Sequence, residues 1–186
     1  MELGHSTIVQ PKDGVISMGE DAPEPQWLDA DEQQAWRQYL HASRLLEAAM
    51  DRDLQRHGLQ LTEYEILVVI SEAAKQRCRM SAIAQQVVQS RSRLTHTAGR
   101  LEKRGWVRRE ACGGDRRGVE LVLTDAGHAA VVEMAPTHVR SVRANLVDLH
   151  SREEFLALGR AMGAVGRGIE SKDGFDGVLT SEKQPT

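Results

Sequence analysis

Between Ser90 and Gly105 the chain reads SRSRLTHTAGRLEKRG, with five arginines and lysines, one histidine and the single acid Glu102. Guanidinium and ammonium groups interleaved with serine and threonine hydroxyls form a donor-rich set suited to phosphate oxygens. An arginine placed edge-on to guanine adds a bidentate pair with O6 and N7. On a helical wheel of ~100° per residue with Leu94 at the origin, Ala98 and Leu101 fall on one side and Thr97 at its margin. Ser92, Arg93, His96, Arg100 and Lys103 project on the other side, and Gly99 leaves a low spot among them. A helix with that free face fits the major groove, ~12 Å wide, where its early residues meet base edges and phosphates.

A second cationic cluster follows in GGDRRG, Gly113 to Gly118. Its two arginines stand between glycines, where little obstructs entry into a minor groove ~6 Å wide. Asp115 beside them is a poor phosphate neighbour unless paired, so its expected task is to hold an arginine by a charge-assisted hydrogen bond. Twelve basic residues and three acids lie from Lys75 to Gly118, a local excess of nine positive charges in a chain of net charge −3. That asymmetry points to a polyanion-binding face, with a merely solvated basic surface as the alternative.

The elements that must position these residues are helical for the most part. Residues 1–28 are polar, hold three of the five prolines and show no period, so they read as a flexible N-terminal arm. Trp36, Tyr39, Leu40, Leu45, Leu46, Met50 and Leu54 recur at three and four spacings, which predicts a helix over 29–57 ended by Gly58. Thr62 with Glu65 forms a capping box ahead of Ile66–Ile70, predicting a helix to about Ala74. A basic loop around Cys78 leads to a short helix capped by Ser81, and Ser90 caps the cationic helix that Gly105 closes. Trp106–Ala111 and Val119–Leu123 read as two strands of a hairpin with an extended tip. Thr124 caps a long helix to about Leu149, kinked at Pro136, and Ser151 with Glu154 opens a last one. Residues 171–186 form a flexible tail. The fold class is mainly α with a small β-hairpin wing: a winged helix-turn-helix with long flanking dimerisation helices.

With SRSRLT…RLEKRGWVRR followed by DRRGVELVLTDAG, the chain resembles the MarR family of transcriptional regulators over roughly Asp29 to Ile169. The resemblance implies a MarR-like region at 29–170, with a DNA-binding lobe at 62–123 and dimerisation helices at 29–57 and 124–170. It implies a homodimer on a pseudo-palindromic double-stranded operator, and a ligand-responsive regulator, more often a repressor than an activator. Its groove-reading positions match Arg91, Ser92, Arg93, Thr95, His96 and Arg100, and its wing arginine matches Arg116, with Asp115 and Arg117 beside it. His96 stands where some relatives carry a base-reading arginine. The dimer also follows from geometry, because two heads related by a two-fold axis reach successive major grooves ~34 Å apart. Implied as well is a pocket for a small anionic or aromatic effector, with candidates Trp36, Tyr39, Leu40, His41, Arg44 and Tyr64; a core or interface role for these residues is the alternative.

Other chemistries find little support. The seven histidines form no HxxH, HxxxH or HExxH pair, and no metal or cofactor is expected; His41 with Glu47, for a metal shared across a dimer, is the alternative. There is no nucleophile elbow, P-loop or GxGxxG, so no enzyme is expected. Cys78, flanked by Arg77 and Arg79, and Cys112 leave a thiol-switched regulator as one alternative, and a winged-helix module that binds proteins and no DNA as another. No run reaches the ~18 apolar residues of a membrane span and no signal peptide is read, so the expected place is the cytoplasm.

Overall fold

The structure is a computed structural model that describes residues 25–112 and 115–172, with side chains except at 115–117. The expected arm before residue 25, the Gly113-Gly114 tip and the tail beyond Lys172 lie outside the described residues. The element order is α1 (Ala30–Gln55), α2 (Leu61–Glu72), a short 3-10 turn, β1 (Arg77–Arg79), α3 (Met80–Gln86), α4 (Arg91–Lys103), β2 (Val107–Cys112), β3 (Asp115–Leu123), α5 (Asp125–Asn145), a second 3-10 turn and α6 (Arg152–Lys172). By packing, the chain divides into a unit ending at Leu46 and another beginning at Glu47. In the first, the Asp29 carboxylate accepts from the Glu32 amide and Glu32 accepts from that of Asp29, closing a capping box at the start of α1. Trp36 and Tyr39 stack on that helix with ring centroids 5.8 Å apart.

The second unit holds the apolar core. Ile66, Leu67 and Ile70 of α2 meet Ile83 of α3, Leu94, Ala98 and Leu101 of α4, and Val107, Leu121 and Leu123 of the strands. A smaller cluster joins Leu54, Leu59, Leu61 and Tyr64 to Met134 of α5.

Several expected boundaries move, each for a visible reason. α2 is capped at Gln60, not Thr62, and Glu63, not Glu65, reaches back to the cap amide at 2.9 Å. The Asp51 carboxylate accepts from the Leu61 amide at 2.8 Å, which fixes this earlier start. The expected basic loop around Cys78 is a strand: β1 pairs antiparallel with β3, Cys78 opposite Leu121, giving a three-stranded sheet of order β1-β3-β2 rather than a hairpin alone. β1 runs straight into α3, so Arg79 and not Ser81 stands at the cap. β3 begins at Asp115, and a bulge between Ala111 and Cys112 adjusts its register with β2, so the wing is more strand and less open tip than expected. α5 continues helical through Pro136 to Asn145, and the stretch up to Leu149 is a separate 3-10 turn.

Elsewhere the caps form at the residues whose spacing predicts them. Ser90 Oγ accepts from the Arg93 amide at 3.3 Å, and Ser151 and Glu154 exchange capping bonds. Gly105 follows α4 at φ +71°, a left-handed position that glycine occupies without a Cβ penalty. Thr124 Oγ1 accepts from the Gly127 amide at 3.0 Å and donates to the Gly105 carbonyl at 2.6 Å. A Cβ on Gly127 would lie 2.0 Å from the Trp106 carbonyl oxygen, so only glycine lets α5 start this close to the end of α4.

Candidate nucleic-acid interface

α4 presents its cations because its other side is fully engaged: Leu94, Ala98 and Leu101 are wholly buried, and Thr97 donates to the Arg93 carbonyl at 3.1 Å. Left exposed are Arg91, Ser92, Arg93, Thr95, His96, Arg100 and Lys103. α3 precedes it across a turn in which Val88, 89 % exposed, takes φ +49°. A β-branched residue there stores backbone strain in the element that sets the angle between the two helices.

The exposed residues differ in their electrical surroundings. Arg91, Arg93 and Lys103 have no ion-pair partner among the described residues. Thr95 Oγ1 donates to the Arg91 carbonyl at 2.8 Å, so part of its capacity is used within the helix. Arg100 is held from below: its Nε donates to Glu63 Oε1 at 2.9 Å and its Nη2 to Gln60 Oε1 at 2.8 Å. Glu63 is only 2 % exposed, so Arg100 neutralises a buried carboxylate while leaving 47 % of its own side chain at the surface. The wheel marked Arg100 as exposed, and its bond to a residue 37 positions earlier in the chain left no trace in that reading.

Much of the remaining positive charge is likewise internal. Arg109 pairs with Glu102 at 3.5 Å and donates to the Thr95 carbonyl. Arg104 lies 4.8 Å over the Trp106 ring and donates to the Gly58 carbonyl. Arg77 and Arg108 converge on Glu110, whose carboxyl the Arg108 hydrogen bond, and then the charges of both arginines, hold below the usual range. The cationic surface is thus narrower than composition implies, and concentrated at the start of α4. There a cleft of about 350 Å³ opens between α3, α4 and β3, with Arg79, Ser81, Arg91, Thr95 and Gly118 on its walls. Asp115, Arg116 and Arg117 open β3, the strand that bounds this cleft, and their side chains fall outside the described ones.

The effector candidates separate between the two units. Trp36, Tyr39, Leu40, His41 and Arg44 lie on α1 in the first, with Trp36 40 % and Tyr39 47 % exposed. Tyr64 belongs to the second, where it is buried and its ring lies 4.8 Å from that of His138. With His138 and Glu65, two residues the sequence reading missed here, Tyr64 lines a cavity of about 250 Å³ that extends to Gln86 and Val87 at the end of α3. Burial pushes the Tyr64 hydroxyl up and the His138 imidazole down, so both are kept neutral. Burial also pushes the Cys78 thiol up, which disfavours its thiolate despite the arginines beside it, and Cys112 is buried. Among the described residues no group of three or more His, Cys, Asp or Glu is placed to hold a metal.

Comparison with known proteins places this geometry. The family model described as MarR family matches residues 57–118. The HTH-type transcriptional regulator PecS of Dickeya dadantii is 32 % identical over 124 residues, 66 % of this chain and 74 % of that protein. Among solved structures, Sco3205 of Streptomyces coelicolor, a MarR family transcriptional regulator in complex with DNA, superposes with a TM-score of 0.75 at 43 % identity, covering 79 % of this chain and 92 % of that one. AbsC, a MarR family transcriptional regulator of the same organism, gives a TM-score of 0.74 at 41 % identity, covering 79 % and 99 %.

Proposed function

This chain belongs to the MarR family of transcriptional regulators, and on that premise we propose that it is a homodimeric, ligand-responsive repressor acting at a pseudo-palindromic operator. Arg91, Ser92, Arg93, Thr95 and His96 enter the major groove from the first two turns of α4. Arg100 follows them in an orientation set by Glu63. Arg116 enters the minor groove beside Asp115 and Arg117. The observation that carries this reading is the pair Arg91 and Arg93: exposed, without an ion-pair partner among the described residues, and on a helix whose opposite side is locked into the core. A solvated basic surface does not account for cations left over at the start of α4 while Arg77, Arg104, Arg108 and Arg109 are matched internally.

The protein works by binding, not catalysis, and in the cytoplasm, where its operator lies. Its relatives are transcription regulators, and no helix among the described residues is long and apolar enough to cross a membrane. DNA binding by the paired lobes of 62–123 depends on dimerisation through 29–57 and 124–170. A small aromatic effector seated against Tyr64 touches the end of α3 and so shifts the pose of the reading head. It moves the equilibrium only by its difference in affinity for the two poses.

Selection of bound genomic fragments by the purified protein tests the proposal, followed by titration of a recovered fragment at several salt concentrations. A palindrome with half-sites about one helical turn apart is expected, with log K falling linearly in log salt over several displaced counterions. Recovery of no fragment at low ionic strength overturns the reading.

A further inference from the structure

The cavity against Tyr64 has an electrical character of its own. Met50, Val68 and Val87 give it apolar walls, and its ionisable lining consists of Tyr64, Glu65 and His138, with no lysine or arginine. Glu65 is half-buried and has no hydrogen bond or ion-pair partner among the described residues. Its carboxyl is pushed up by burial first and by the Glu47 carboxylate of α1 second. His138 Nδ1, from α5, is buried without a hydrogen-bond partner among the described residues. Of the other acids nearby, Glu72 of α2 acts on the Tyr64 hydroxyl, and Asp51 of α1 is engaged with the Leu61 amide. α3 contributes only Gln86, which carries no charge. The negative charges around this cavity therefore have no cation set against them from its own walls. A partly buried carboxylate in that situation gains most from a ligand that brings positive charge and N–H donors.

We propose that this cavity takes a protonated amine carried on a small aromatic or aliphatic body, with its ammonium set against the Glu65 carboxylate. The body replaces water along Met50, Val68 and Val87, and the ammonium relieves the repulsion between Glu65 and Glu47. His138 stays neutral and offers a ring nitrogen rather than a competing charge. Only the consequence for transcription rests on the effector reading above; the ligand class rests on the cavity. Because the amine binds the ionised carboxylate, affinity weakens as pH falls through the raised Glu65 value.

Calorimetric titration of the full chain with benzylammonium, benzyl alcohol and benzoate separates charge from shape. At neutral pH benzylammonium is expected to bind about tenfold or more tightly than benzoate, the scale of one charge-assisted hydrogen bond. Glu65→Gln should remove that preference, while Glu65→Asp should keep part of it and benzyl alcohol should gain no such preference in any variant. Benzoate binding as well as or better than benzylammonium overturns the proposal, as does a preference that survives Glu65→Gln. In parallel, the anisotropy of a labelled fragment recovered by selection reports DNA release. Glu65-dependent amine binding with unchanged DNA affinity supports the ligand class and overturns its use as effector.

Discussion

Arg93 and Arg100 share the exposed side of α4, yet they answer to different partners. Arg93 has only solvent and a prospective phosphate or base before it. Arg100 compensates Glu63, whose carboxylate also holds the cap of α2, so one guanidinium ties the reading helix to the start of its neighbour. Removing it leaves a carboxylate only 2 % exposed without its cation. Arg100→Ala should therefore cost about 2 kcal/mol of stability, the scale of a charged hydrogen bond lost from a buried acceptor. Arg93→Ala should leave stability unchanged within about 0.5 kcal/mol, as at other surface sites. Both should weaken DNA binding, with Arg93→Ala lowering the salt slope by about one counterion. Thermal melts beside salt-dependent titrations check this. Equal melting temperatures for the two variants would show that Arg100 holds nothing together. The exposed face of α4 was legible in the sequence, because helical spacing alone decides which residues share a side. The Glu63 contact was not, because it joins two elements through tertiary packing.

At the scale of elements, caps and close approaches account for both the successes and the misses. Ser90, Thr124 and the Ser151–Glu154 box were readable because a cap involves neighbours within three positions. The start of α2 differs from the expected one because Thr62–Glu65 carries the Ser/Thr-x-x-Glu form of a capping box, while the cap that forms, Gln60–Glu63, has a glutamine in the first place. Asp51, ten positions away, decided between them. β1 was missed because three residues give no period to read, and its identity comes from pairing with β3. The junction of α4, β2 and α5 depends on Gly127. Gly127→Ala places a methyl group 2.0 Å from the Trp106 carbonyl oxygen, a backbone atom that cannot rotate away. A loss of roughly 1–3 kcal/mol or more is expected, as for overpacking elsewhere. The cap bond from the Gly127 amide to Thr124 should also loosen. Denaturant unfolding measures the cost, and an unchanged midpoint would mean that α5 shifts freely relative to Trp106.

For the whole molecule, the unpartnered surface matters more than the core. α6 runs for 21 residues without one buried position. Met162, Val165 and Ile169 are 39–56 % exposed along it, three and four residues apart and so on one side. On α1, Leu45 is 57 % exposed. Apolar stripes of this length call for cover, and in the proposed homodimer a second copy supplies it. Met162→Glu with Val165→Glu should shift the protein to monomer in sedimentation. Because two half-sites are then bound without linkage, affinity for a palindrome should fall by two orders of magnitude or more, the scale of lost avidity. A double variant that stays dimeric would place the interface elsewhere.

What the sequence determined by itself was everything set by near neighbours: the order of helices, most of their caps, the apolar side of α4 and the cations opposite it. Those depend on periods of three and four residues and on bonds within one turn. What only the tertiary structure decided was which charges remain for a partner. Arg77, Arg100 and Arg104 meet residues 33 to 46 positions away, and Glu65 lines a cavity while Glu63 holds the cap of α2. Electrostatic neutralisation depends on distance in space, which spacing along a chain does not encode until the core has brought the elements together.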